Sequence, residues 1–181
     1  MILNLGLKMR HVISVLLQNE VGALTRMTGL FSTRGYNIET LNVAPTDDPL
    51  VSRVTLVVDA SDAAIAQLNT QLAKLVDVVN IHDMTLGEHF EYEMVIVKIK
   101  LKADDYQKVT KLAKTFGATV LDDSLVSFTI ELAGKAIEVD QFVSTIAAIG
   151  ELSAVARSGS VAVSKGEIAL SSYATHHKLT G

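Results

Sequence analysis

Apolar and polar positions along this chain switch between two repeats, and the switches mark out the elements. His11-Val12-Ile13-Ser14-Val15-Leu16-Leu17 is a short β-rich run that ends at Gln18-Asn19-Glu20-Val21-Gly22, which predicts a buried strand. Leu24, Met27, Leu30 and Phe31 then recur at helical spacing, and Gly35 after Arg34 can take the left-handed conformation that ends a helix. Extended segments at Asn37–Val43 and Val51–Val58 flank Ala44-Pro45-Thr46-Asp47-Asp48-Pro49, a run of turn formers. A second helix is predicted over Asp62–Lys74, with Ser61 as N-cap and Ile65, Leu68 and Leu72 inward, followed by a strand over Val76–Met84. The order β-α-β-β-α-β is ferredoxin-like, with both helices on one face of a four-stranded antiparallel sheet.

The order then begins again. Val95–Leu101 predicts a strand, and Tyr106, Val109, Leu112 and Ala113 mark a helix. Thr119–Leu121 and Leu125–Leu132 flank Asp122-Asp123-Ser124 as a hairpin. Val139, Phe142, Val143, Ile146 and Ile149 mark another helix, and Leu152–Ala156 a last strand. The two halves share element order much more than residues. The expected fold class is therefore α+β, two ferredoxin-like domains in tandem. The expected domains are 9–86 and 94–166, joined by a linker over 87–93, with a flexible tail over 167–181. Ser158-Gly159-Ser160 reads as a turn.

Composition narrows the function classes. Across 181 residues, 49% are hydrophobic and 20% charged, which is globular and not disordered. The net charge of −4, without a long Lys or Arg run, argues against nucleic acid, and no apolar stretch approaches the roughly 20 residues that span a bilayer. With no cysteine there is no thiol chemistry, and without an export signal a cytoplasmic location is expected. Small domains with thin cores commonly pair, so an oligomer is expected. His11 and His82 fall in predicted strands, and His89, His176 and His177 complete no helical metal-binding spacing. Asp47-Asp48, Asp104-Asp105 and Asp122-Asp123 sit at predicted turns or helix starts, where Asp accepts backbone hydrogen bonds. No nucleophile elbow, phosphate loop or dinucleotide fingerprint occurs, so no catalytic residue and no bound metal or cofactor is expected.

One constellation suits a ligand. Asn19-Glu20-Val21-Gly22-Ala23-Leu24 leads from a strand straight into a helix. Gly22 lets a ligand approach the backbone, and the first N–H groups of the helix carry the positive end of its dipole. Such a corner suits a small anion such as an α-carboxylate, and Asn19 and Asn37 offer amide oxygens to an α-ammonium group. From the residues alone, a plain turn and a helix cap account for the same pattern.

Val12 to Leu24 resembles the opening of an ACT domain, an amino-acid-sensing module. Gly29-Leu30-Phe31-Ser32-Thr33-Arg34-Gly35-Tyr36-Asn37-Ile38-Glu39-Thr40-Leu41 and Val43-Ala44-Pro45-Thr46-Asp47-Asp48-Pro49 resemble the small regulatory subunit of acetohydroxyacid synthase (acetolactate synthase). Leu75–Val79 and Val155–Gly159 match the same family, and the resemblance runs from about Met9 to Gly166. It implies an N-terminal ACT domain, a homodimer with two ACT sheets side by side, and feedback inhibition by valine bound at that interface, with leucine and isoleucine left open. It also implies a partner, the large catalytic subunit, which this chain activates and which itself carries thiamine diphosphate, Mg²⁺ and FAD. Effector contacts carry over to Asn19, Gly22 and Asn37, with Ala23 and Leu24 as backbone neighbours. Val21 stands where many ACT domains have proline, the eight residues before Met9 read as an addition, and no family motif follows Gly166. A stand-alone amino-acid-sensing module serving another enzyme or a transcription complex is the alternative.

Overall fold

The computed structural model describes residues 8–124, 127–167 and 170. Contacts divide the chain into a first unit that runs through Phe90 and takes in the chain from Ser160, and a second of Glu91–Gly159.

The first unit is built from β1 (Met9–Gln18), α1 (Ala23–Thr33), β2 (Ile38–Pro45), β3 (Val51–Ala60), α2 (Asp62–Leu72) and β4 (Val78–Asp83). The strands form an antiparallel sheet in the order β2-β3-β1-β4. Central β1 aligns His11 with Val58 and Gln18 with Val51 on one side, and Ser14 with His82 on the other. Ile13, Val15, Leu17, Val54, Leu56 and Val58 form the helical face of the sheet, and Met27, Phe31, Ile65, Leu68 and Leu72 pack onto it. Period-3.6 and period-2 apolar rows thus meet in one core. Ser61 caps α2 as expected, its hydroxyl accepting from Ala64 N–H.

The second unit repeats the plan with β5 (His89–Lys100), α3 (Tyr106–Phe116), β6 (Thr119–Ser124), β7 (Ser127–Gly134), α4 (Ala136–Ala147) and β8 (Glu151–Arg157), the strands in the order β6-β7-β5-β8. Val95, Val97, Ile99 and Ile130 meet Val109, Val139, Phe142 and Ile146 in its core. The stretch expected as a linker includes the start of β5, so the unit boundary at Phe90–Glu91 falls inside a continuous strand. Glu93 in that stretch is buried, and Arg157 forks between it and Asp140.

Where the sequence reading runs the second domain to residue 166, contacts assign the chain from Ser160 to the first unit. A short strand follows the Ser158–Ser160 turn, β9 (Val161–Ser164). Its Ala162 joins Val12, Val57 and Met84 in a small apolar cluster on the sheet face away from the helices. Of the expected tail, residues 168, 169 and 171–181 lie outside the described residues, as do residues 1–7, Leu125 and the His176-His177 pair. Among the described residues, no helix is long and apolar enough to cross a membrane.

The corner between β1 and α1 is held by one ion pair. Arg26, in the first turn of α1, donates from Nε to Asp77 Oδ2 (2.6 Å) and from Nη2 to Asp77 Oδ1 (2.7 Å). Asp77 is 2% exposed, and its carbonyl also accepts from Gln18 N–H at the end of β1. The hydrogen bonds from Arg26 outweigh burial and hold the Asp77 carboxyl below its ordinary value. A folded pKa below the unfolded one means that the pair stabilises fully above about pH 4 and stops doing so as pH falls through the folded value. Asp77→Asn should therefore lower the urea midpoint at neutral pH, and the gap to the parent should close below about pH 4. A gap of constant size at every pH would show that the charge is not what matters.

Candidate functional site

Gly22 occupies the N-cap position of α1 with φ 87° and ψ −13°, a left-handed conformation that favours glycine. It offers no side chain to the helix, and the first turn of α1 contains no acidic residue. Ala23 N–H is taken by Glu20 O (3.2 Å), and Arg26 N–H by Gly22 O (2.9 Å). Leu24 and Thr25 N–H have no partner among the described residues. The Arg26 guanidinium overhangs the same spot, because a Cβ at Gly22 would lie 2.7 Å from Arg26 Nη1. That Nη1 is the guanidinium nitrogen left over from the fork to Asp77. Free N–H groups, a helix dipole and a cation converge on an exposed corner, an arrangement that favours a carboxylate.

Asn19 is fixed from the other side. Its backbone N–H donates to Leu50 O (2.8 Å) and its Nδ2 to Pro49 O (3.0 Å). Asn19 is exposed, and its side-chain oxygen has no partner among the described residues. The loop that holds it is itself tied: Leu50 N–H donates to Asp48 Oδ1 (2.9 Å), Asp48 N–H to Thr46 Oγ1 (3.1 Å) and Thr46 N–H to Val51 O (2.9 Å). The loop of prolines and aspartates therefore acts as a splint for Asn19. Ala23 is buried under the corner, while Leu24 is 37% exposed beside it.

Asn19, Gly22, Ala23 and Leu24 are thus brought together, and Asn37 is not. Asn37 is exposed and directly precedes Ile38, which pairs with Val58, whereas Asn19 follows Gln18, which pairs with Val51. Seven residues of β3 separate those partners, or roughly 23 Å at about 3.3 Å per residue. Strand β2 between them is an edge of the sheet, with Leu41 and Val43 partly exposed. Sequence reading missed Arg26 and Asp77, since nothing in spacing links charges 51 positions apart.

The aspartate pairs serve local bonds. Asp105 takes Lys108 Nζ (2.8 Å), Asp122 takes Ser124 N–H (3.1 Å) and Asp123 takes the Tyr106 hydroxyl (3.1 Å). Among the described residues, no three His, Asp or Glu side chains gather as a metal site would require.

Residues 13–80 match the family described as AHAS small subunit-like ACT domain, and residues 92–166 match the small subunit of acetolactate synthase. The chain is 41% identical over 159 residues to the acetolactate synthase isozyme 3 small subunit of Salmonella typhimurium, covering 88% of this chain and 98% of that one. Against the same subunit of Escherichia coli K12 it is 42% identical, with the same coverage. The crystal structure of the acetolactate synthase small subunit from Thermotoga maritima superposes with a TM-score of 0.81 at 28% identity, covering 88% of this chain and 99% of that chain. Two tandem α+β domains, the first an ACT domain, are thereby common to both, and the chain belongs to the acetolactate synthase small-subunit family.

Proposed function

We propose that this chain is a non-catalytic regulatory subunit that activates the catalytic subunit of acetolactate synthase and makes it sensitive to valine. The observation that supports this most is the uncapped start of α1. Leu24 and Thr25 N–H, backed by Arg26, can receive an amino acid's carboxylate, while Asn19 Oδ1 accepts from its ammonium group. The single chain provides only half of a site, because Asn37 lies at the far end of the sheet. A second copy paired antiparallel along edge strand β2 brings the start of one β2 beside the end of the other. Asn37 of the second copy then faces the Asn19 corner, and two-fold symmetry makes two such composite sites. Thiamine diphosphate, Mg²⁺ and FAD belong to the catalytic partner in this reading, and none is assigned to this chain.

Valine must bind two states of the complex unequally in order to inhibit. Mixing the chain with its catalytic subunit should raise the rate of acetolactate formation, and valine should reverse the rise. No change in rate at any ratio of the two would remove the partner from the proposal. Gly22→Asp places a side chain at φ 87° against Arg26 Nη1 and sets a carboxylate where the ligand's own would lie. It should keep activation and lose valine inhibition; unchanged inhibition would remove the corner from the site. The shared site has its own test. Asn19→Ala and Asn37→Ala should each weaken valine binding about ten-fold or more, from loss of a hydrogen bond to a charged group. Co-refolding the two variants should restore roughly a quarter of the parent's sites by calorimetry, since only mixed dimers hold one intact composite site. Absence of rescue would place both asparagines in one copy's site.

A further inference from the structure

The face of the first sheet that points away from its helices holds a cavity of about 140 Å³, lined by Ser14, Arg53, His82, Met84, Val163, Ser164, Gly166 and Leu170. All eight belong to the first unit. The register explains the grouping. Ser14 on β1 lies opposite His82 on β4, and Arg53 on β3 lies opposite Leu16, two residues along the same face. Arg53 Nη1 donates to Ser14 Oγ (2.9 Å) and Nη2 to the carbonyl of Leu170 (2.9 Å). A guanidinium carries five N–H donors, so three remain. No carboxylate pairs with it among the described residues, and burial alone pulls its pKa below the ordinary value without removing the charge. A half-buried cation without a counter-ion is costly unless something anionic sits beside it.

We propose that this cavity binds a short-chain aliphatic carboxylate that carries no amino group. The spare donors of Arg53 match a carboxylate's two oxygens, and the His82 ring and Ser164 hydroxyl line the same space. Met84, Val163 and Leu170 line it with apolar surface suited to a hydrocarbon tail. The volume is close to that of a cavity of about 150 Å³ that accepts benzene, so a ligand of roughly six or seven heavy atoms fits. Among the described residues no acidic side chain lines the cavity to receive an ammonium group, which disfavours amino acids. The site is therefore distinct in place and chemistry from the α1 corner and does not rest on it.

The test is a titration of the isotope-labelled full chain, followed by amide resonances, with isovalerate, valine and inorganic phosphate as separate probes. Isovalerate is valine's skeleton without the amine. It should shift the amides of Ser14, Arg53, His82 and Ser164, and bind at least about ten-fold more tightly there than valine or phosphate. Arg53→Gln should weaken it by about ten-fold or more, while Gly22→Asp should leave it unchanged. If Arg53→Gln loses the dispersion of a folded chain, Ser164→Leu, which fills the cavity without removing the cation, must abolish binding instead. Absence of isovalerate shifts at these amides would overturn the site. Binding that survives both substitutions would do the same, and phosphate binding as tightly as isovalerate would overturn the ligand class. Loss of valine shifts at Asn19–Leu24 would count only against the regulatory site.

Discussion

The buried carboxylate of Asp77 needs a cation, and the way Arg26 supplies it determines the shape of the β1–α1 corner. A fork from the first turn of α1 to the loop before β4 leaves Arg26 Nη1 lying over Gly22. A side chain at that position would have to displace Arg26 Nη1, and its φ of 87° favours glycine a second time. A helix that starts on glycine has no side-chain cap, and α1 has no acidic residue in its first turn. Helices α2 and α4 show what is missing, whereas α3 also lacks a side-chain cap. In α2 the Ser61 hydroxyl meets Ala64 N–H, and at α4 the Glu138 carboxylate returns to Lys135 N–H. An acceptor that would stabilise α1 by about 1 kcal/mol is absent at its start, beside the Arg26 cation. In the proposed function, a ligand's own carboxylate would serve as that cap.

Most of the fold was legible because both domains rest on short-range periodicity. Helix α2 with its Ser61 cap, the strands at His11–Leu17 and Val51–Val58, and the turn at Pro45–Pro49 all follow from local spacing. Strand β9 was not legible, since four residues after Ser-Gly-Ser carry too little pattern and their burial comes from distant Val12, Val57 and Met84. The start of β5 was hidden by its glutamates. Glu93 reads as a linker residue until Arg157, 64 positions away, is seen to neutralise it in the interior. The site was half legible for a related reason. Asn19 and Gly22 are neighbours in sequence and in space, whereas only one helix separates Asn37 from them along the chain. The chain returns along the sheet through that helix, so a separation that looks small in sequence becomes seven positions of β3.

The two sheets share a topology and differ in what their second faces meet. Strand β5 buries every other residue from Glu93 to Ile99, the pattern of a sheet with one side packed on helices and the other exposed to a greater degree. Strand β1 is buried at seven consecutive positions from His11 to Leu17, so both faces of the first sheet are shielded from water at its centre. Shielding a second face changes which residues it can hold without penalty. Val12, Val57 and Met84 gain from being covered, whereas Ser14, Thr55 and Arg53 on the same face need partners there. Arg53 meets part of that need through Ser14 Oγ and the carbonyl of Leu170, both neutral acceptors. Ion pairing satisfies Asp77 and Glu93, the buried carboxylates among the described residues, through Arg26 and Arg157. A covered face that leaves one cation with neutral acceptors beside an open cavity departs from that rule, and the departure locates where this fold can take a charge from outside.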